Sequence, residues 1–341
     1  MRKLRRFSGL LIFALALTAC KQSDSKSCCD NASCGEEIGN TYYLPSWSDS
    51  IKQQIMSYVE DVTNPMSANF IPYADRIATF DNDGTLWSEQ PIPSQMFFAL
   101  DELKRIANEH PEWRNVEPYK SAIVGDLKSL LSQGEKALQI MIDTHTGTSS
   151  EEFDQIVNAW IDTAKHPVKH KYYTDLVYQP MLELLDYLRA NDFRVFIVSG
   201  GGASFMRAWA EEAYDIPRNQ IIGSYFDAEF DYADGQARIN RKPKIEFYDD
   251  KEAKPVAIDR FIGRRPVFAC GNSDGDLQML QYTDANEYES FQLYVHHTDA
   301  EREFEYGRDA PIGALDKGLD EALAKKWCLV DMKTDWKVVY P

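Results

Sequence analysis

Basic residues are scarce in this chain. Its 341 residues hold 37 Lys and Arg against 54 Asp and Glu, a formal charge of −17. That balance repels phosphate backbones and anionic lipid, so nucleic acid is not an expected partner, while a small anion in a locally positive pocket remains compatible. Long apolar runs are also missing: Leu10 to Leu17 is too short to remain in a bilayer as a spanning helix. The chain has no internal repeat, no P-loop, no Gly-x-Gly-x-x-Gly fingerprint and no Gly-x-Ser-x-Gly elbow around Ser199. Histidine and cysteine, six of each, do not fall at zinc spacing. Pro167 separates His166 from His170, and His296 and His297 point to opposite faces of a strand, although Asp299 lies close by. What remains is a hydrophobic content of 44%, ordinary for a globular chain, and a length that suits one large domain with an insertion, or two domains.

Residues 1–19 read as an address. A basic start, an apolar run and small residues before Cys20 make a secretory signal. The ending Leu17-Thr18-Ala19-Cys20 resembles the bacterial lipobox. That resemblance implies cleavage before Cys20, diacylation of its thiol and acylation of the new amino terminus. Several acyl chains, at about 0.8 kcal/mol per buried CH₂, anchor stably to a membrane where one would not. Lys21 in place of Asp resembles outer-membrane sorting in Gram-negative lipoproteins, which implies the periplasmic face. Residues 20–40 are small and polar, a lipidated flexible tether that carries Cys28, Cys29 and Cys34. Without Cys20 the thiol count is odd, and a disulfide inside the tether is one option, with its pairing open. Cys270 and Cys328 lie in apolar surroundings, and Cys270 reads as core.

Three short β-like runs end in polar, glycine-rich clusters. Ile77-Ala78-Thr79-Phe80 leads into Asp81-Asn82-Asp83-Gly84-Thr85. Val195-Phe196-Ile197-Val198 leads into Ser199-Gly200-Gly201-Gly202, and Val267-Phe268-Ala269-Cys270 into Gly271-Asn272-Ser273-Asp274-Gly275-Asp276. Continuous apolar strands suit a parallel sheet buried on both faces. Helical patterns lie between them: Pro180 as a first-turn residue, Met181, Leu184, Leu185 and Leu188 at helical spacing, and Asn191 as a stop. Strands separated by helices predict an open α/β sheet, whose ligands sit beyond the carboxyl ends of the strands. All three clusters fall at such ends.

Residues 88–178 carry mostly helical signals, including a capping box from Ser149 to Glu152, and read as a helical cap. Residues 41–87 and 179–341 form the α/β core. Later strands are expected at Ile221-Ile222 and Leu293-Tyr294-Val295, with a C-terminal segment around Trp327 to Tyr340.

Asp81 and Asp83, two residues apart at a strand end, are costly to keep charged together. An Asp-rich turn is one account of them; a magnesium ion held by oxygen ligands is another. Asp276 is a third acid, or a helix N-cap. Ser199 and its glycines open a helix, where successive N–H groups suit an anion such as phosphate.

Together these residues resemble the four motifs of the haloacid dehalogenase superfamily. Asp81-Asn82-Asp83-Gly84-Thr85-Leu86 matches the first, Ser199 the second, Lys254 the third, and Gly271 to Asp276 the fourth. The surroundings of the second and fourth look most like the phosphoserine phosphatase branch. The resemblance implies a Rossmann-like core, a cap between the first two motifs, and Mg²⁺-dependent phosphoryl transfer from a small phosphorylated substrate. Asp81 is then the nucleophile, Asp83 the acid and base, and Lys254 the countercharge. Ser199, Gly200 and Gly201 meet the phosphoryl group. Asp81, Asp83, Asn272 and Asp276 make up the implied metal set. An acid at the Asp83 position favours phosphatase over dehalogenase, because a halide leaves without a proton.

Two departures stand out. Asn272 replaces the usual Asp of the fourth motif and removes a charge from the metal site, for which Asp274 is a candidate replacement. Nine residues after the nucleophile, where phosphoserine phosphatases place a Glu for the substrate amine, stands Gln90, with Glu89 beside it. Asn272 also supports an alternative, a binding lipoprotein that keeps the fold and has lost turnover.

Overall fold

The computed structural model describes residues 43–341. The signal segment, Cys20, and the tether with Cys28, Cys29 and Cys34 lie outside the described residues. Helix α1 (Asp49–Thr63) buries Ile51, Ile55, Val59 and Val62, three and four residues apart, and strand β1 (Ile77–Phe80) follows it. Five helices come next: α2 (Ser94–Ile106), α3 (Tyr119–Val124), α4 (Leu127–Leu131), α5 (Leu138–His145) and α6 (Ser150–Ile161). Then come α7 (Gln179–Ala190), β2 (Arg194–Gly202), α8 (Ala203–Tyr214), β3 (Ile221–Ala233) and β4 (Gln236–Phe247). The chain continues through α9 (Ala253–Phe261), β5 (Phe268–Gly271), α10 (Leu277–Asp284) and β6 (Phe291–His296). It ends with α11 (Lys317–Lys325), β7 (Cys328–Asp331) and α12 (Met332–Asp335).

The strands form one 7-stranded sheet in the order β4-β3-β2-β1-β5-β6-β7. Every pairing is parallel except β3 with β4. This is the α/β, Rossmann-like arrangement expected from the strand runs. Alternation along the strands feeds two cores. Ala78, Phe80, Ile197, Phe268, Cys270 and Leu293 pack with α1, α7 and α8, while Ile77, Phe196, Val198, Ala269 and Tyr294 pack with α9, α10 and α11. Cys270 and Cys328 are buried free thiols. Strand β1 has β2 on one side and β5 on the other, so the chain reverses its direction of winding there. Such a switch point opens a crevice at the carboxyl ends.

Residues 88–178 hold helices and no named strand. Helices α2 to α5 share an apolar cluster of their own through Ala99, Leu103, Ala122, Leu130 and Ile140. Helix α6, opened by the Ser149–Glu152 capping box, instead sends Phe153, Val157 and Ile161 into the main core. Strand β3 runs far past Ile221-Ile222 and returns as β4, a ribbon turned by Asp234-Gly235 with positive φ at both residues. Its outer half is charged and exposed, so no continuous apolar run marks it. Among the described residues no helix is long and apolar enough to cross a membrane.

Candidate active site

Strand β1 delivers Asp81 to the crevice, and the Asp81 N–H donates to the Cys270 carbonyl at 3.0 Å, joining the ends of β1 and β5. The turn that follows needs glycine at its tip. Gly84 has φ +77°, and a Cβ there would fall 2.1 Å from Asn272 Nδ2. The first and fourth motifs therefore touch through a position where no side chain fits.

Lys254, from the first turn of α9, is buried and fully occupied. Its Nζ donates to Asp81 Oδ1 at 2.7 Å, to Asp276 Oδ1 at 2.6 Å and to the Val198 carbonyl at 2.9 Å. Burial works against the ammonium, but Asp276 and Asp81 outweigh it and push its pKa up, so this lysine stays charged. Burial and the neighbouring Asp276 also push Asp81 upward, which a cation at its other oxygen would reverse. Asp83 is pushed up to about 6 by burial. Its Oδ1 accepts from Trp87 Nε1 at 2.7 Å, and Trp87 is held by stacking on Trp209.

Asp276, expected among the metal ligands, has both carboxylate oxygens engaged. Oδ1 takes Lys254, and Oδ2 accepts from the N–H groups of Asn272 at 3.0 Å and Ser273 at 3.1 Å. It precedes α10 without capping it through its side chain. Asp274 does not restore the charge lost at Asn272, because its carboxylate accepts from the N–H groups of Asp316, Lys317 and Gly318 at the start of α11. Glu89 stands where that charge is missing. Asn272 Nδ2 donates to Glu89 Oε1 at 2.7 Å, Tyr306 OH donates to the same oxygen at 2.7 Å, and Thr85 Oγ1 donates to Asn272 Oδ1 at 3.0 Å. Burial raises Glu89 well above the usual carboxylate range, and Asp83 and Asp81 add to it.

Ser199 and its glycines, expected as a turn, belong to the end of β2, where the register with β3 shifts, and they are more committed than their sequence suggests. Gly201 N–H donates to Ser199 Oγ at 3.1 Å, and Gly202 N–H donates to Gln95 Oε1 at 2.7 Å. The expected row of open N–H groups is therefore broken after Gly200. Gln95, at the start of α2, also meets His145 Nε2 at 3.1 Å, and so links the end of β2 to α5. Gln90 turns its amide to the Ile312 carbonyl at 3.0 Å. His166 and His297 are structural, donating to the Gln90 and Gly84 carbonyls, while Asp299 pairs with Arg302.

Asp81, Asp83, Ser199, Gly200, Gly201, Lys254 and Asp276 all line one cleft of about 610 Å³, and Glu89 and Gln95 line it too. Sequence reading missed the parts played by Glu89, Gln95, Trp87 and Tyr306. Only the position of Glu89, next to a motif residue, hinted at any of them. Among the described residues no three His, Cys, Asp or Glu side chains converge as a ready-made metal site. Hard oxygens are present all the same on Asp81 and Asp83, while Asn272, expected in the metal set, does not line the cleft and its Oδ1 accepts from Thr85 Oγ1. An oxygen-only set with few charges, completed by substrate and water, fits Mg²⁺.

Topology and residue placement define an open α/β sheet with its candidate site at the carboxyl edge. The family model for haloacid dehalogenase-like hydrolase matches residues 78–281, more than half of the chain, and the protein belongs to that family. Among solved structures, a protein of unknown function from Anaerococcus prevotii is similar with a TM-score of 0.51 and 15% identity, over 80% of this chain and 97% of its own. One from Bordetella pertussis, also of unknown function, has a TM-score of 0.46 and 18% identity over 75% and 98%. A phosphoserine phosphohydrolase-like protein from Francisella tularensis has 0.36 and 16% over 73% and 99%. No curated protein matches the chain.

Proposed function

We propose that the protein is a Mg²⁺-dependent phosphomonoester hydrolase that carries the phosphoryl group on Asp81. The observation that supports this most directly is the buried Lys254 bridge, which fixes Asp81 Oδ1 and leaves Oδ2 to the cleft, with Asp83 two residues on. Asp81 Oδ2 forms a bond to phosphorus as the bond from phosphorus to the ester oxygen breaks. Asp83 gives its proton to that departing oxygen, so an alcohol leaves and Asp83 becomes a carboxylate. The same carboxylate then takes a proton from water, whose oxygen attacks phosphorus, frees Asp81 and releases inorganic phosphate. Trp87 holds Asp83 Oδ1, so Oδ2 is the oxygen that moves protons. Ser199 Oγ and Gly200 meet the phosphoryl oxygens, and Lys254 balances the charge that gathers on Asp81. Asp276 positions Lys254 and the Asn272 loop; it is not assigned as a ligand. The Asp81 carboxylate and the Asp83 carbonyl would hold Mg²⁺, with Asn272 Oδ1, which accepts from Thr85 Oγ1, as a further oxygen; the ion supplies electrostatic stabilisation of the transferring group. Helices α2 to α5 serve as the cap that selects the ester.

Asn272 favours a second reading, a phosphate-binding protein with little turnover. The signal and lipobox at the amino end support a lipid-anchored location outside the cytoplasm, where released or imported phosphate esters are met. The test is phosphate release from a panel of phosphomonoesters with and without Mg²⁺, beside Asp81→Asn and Asn272→Asp. Turnover that needs both Mg²⁺ and Asp81 supports the hydrolase. Phosphate binding without turnover in all three proteins supports the second reading.

A further inference from the structure

The cleft over Asp81 is two-natured. Beyond the reaction centre its lining is apolar: Ile92, Met96, Leu131, Leu138 and Met141 from the segment between β1 and β2, and Ile312 from the loop before α11. Leu131 and Leu138 are 43% and 39% exposed, so folding leaves two large side chains in water beside the site. An apolar wall continuous with a phosphoryl-handling centre is where the organic part of an ester comes to rest.

The charges on the lining show which groups are disfavoured. Asp81, Asp83, Glu89, Asp250, Asp274 and Asp276 face Lys251 and Lys254, with no arginine or histidine among the described lining residues. Lys254 has spent its donors on Asp81, Asp276 and Val198. A carboxylate on the substrate would therefore find Lys251 alone. Gln90 does not line the cleft and donates its amide N–H to the Ile312 carbonyl, so it is not placed to meet a substrate ammonium. Glu89 Oε1 already serves Asn272 and Tyr306.

Resting on the hydrolase reading above, we infer that the preferred substrates are phosphomonoesters whose organic group is uncharged and apolar, seated against this wall. Phosphoserine, whose carboxylate meets six acidic side chains and one uncommitted lysine and whose short organic part cannot reach the apolar wall, is then a poor substrate. Each methylene buried there is worth roughly three- to fourfold in affinity.

The test uses the full chain with Mg²⁺ and compares kcat/KM for ethyl phosphate, hexyl phosphate, phenyl phosphate and phosphoserine. Calorimetry of ethylphosphonate and hexylphosphonate, which cannot be hydrolysed, runs beside it. Hexyl phosphate is expected to exceed ethyl phosphate by at least about tenfold, with phosphoserine below both. Leu138→Asp, at an exposed position where folding is not at stake, and Met141→Asp should each pull the hexyl-to-ethyl ratio towards one. Turnover with no chain-length preference, or with phosphoserine ahead, overturns the inference and leaves the hydrolase standing. Chain-length-dependent phosphonate binding without turnover of any ester supports the apolar seat and overturns the hydrolase. Neither turnover nor chain-length-dependent binding overturns both.

Discussion

Asn272 donates its side-chain N–H to Glu89 Oε1 at 2.7 Å, so the amide in the fourth motif is paired with a carboxylate from the segment after the first. The carboxyl group that an Asp would bring to this corner is already present on a neighbouring element, held towards its neutral form by burial, and a cation bound beside it would draw it to the charged form. Glu89→Gln is therefore expected to weaken Mg²⁺ affinity by about tenfold, read by titration calorimetry in the absence of substrate. Asn272→Asp would place two carboxylates at hydrogen-bond distance. Its melting temperature should fall without Mg²⁺ and recover with it, and adding Glu89→Gln should remove the penalty. A metal affinity that Glu89→Gln leaves within twofold would sink this account.

Lys254 holds two buried carboxylates apart. Lys254→Met removes the ammonium that bridges Asp81 and Asp276, so it should cost roughly 3–5 kcal/mol in urea unfolding as well as activity. A variant as stable as the wild type would show that the bridge is dispensable to the fold.

Gly84→Ala tests the contact between the first and fourth motifs. The new methyl would overlap Asn272 Nδ2 at a backbone with φ +77°. Stability should drop by more than about 1 kcal/mol and phosphate release should fall with it. Gly125, also at positive φ but with open space around it, is the control: Gly125→Ala should leave phosphate release unchanged.

His145 gives a pH prediction away from the reaction centre. Burial, with Arg241 adding to it, lowers its pKa to about 3. The native state keeps this imidazole neutral, while the unfolded chain protonates it near pH 6.5. Its contribution is therefore complete above pH 6.5 and is lost progressively as pH falls towards 3, at about 1.4 kcal/mol per pH unit. Urea unfolding between pH 6.5 and pH 4.5 should show a steeper loss in the wild type than in His145→Gln. Equal slopes would mean that His145 is not held neutral.

Much of the centre was legible because its chemistry and its local structure coincide. A four-residue apolar run ending in Asp81 both makes a central strand and delivers a carboxylate to the crevice, and the same holds for the runs before Ser199 and Asn272. Residues that act across the fold were not legible. Glu89 is 183 residues from its partner Asn272, and Gln95 is 107 from Gly202, so no local pattern announces either pairing. Asp274 shows the converse: a motif acid whose oxygens are taken by the start of α11, a helix remote in sequence. The β3–β4 ribbon escaped notice because its exposed strands lack an apolar run, although Asp234-Gly235 carried the hairpin signal. Residues 88–178 read as one helical piece, yet α6 packs into the main core because Phe153, Val157 and Ile161 join the apolar cluster that contains α8.

The position of β1 in the middle of the sheet has a consequence for the newborn chain. Asp81 leaves the ribosome early, but the lysine that balances it is 173 residues further on, and Asp276 follows later still. The site therefore comes into being only when nearly the whole polypeptide has arrived and closed its sheet. Assembly of the site and final folding become the same event.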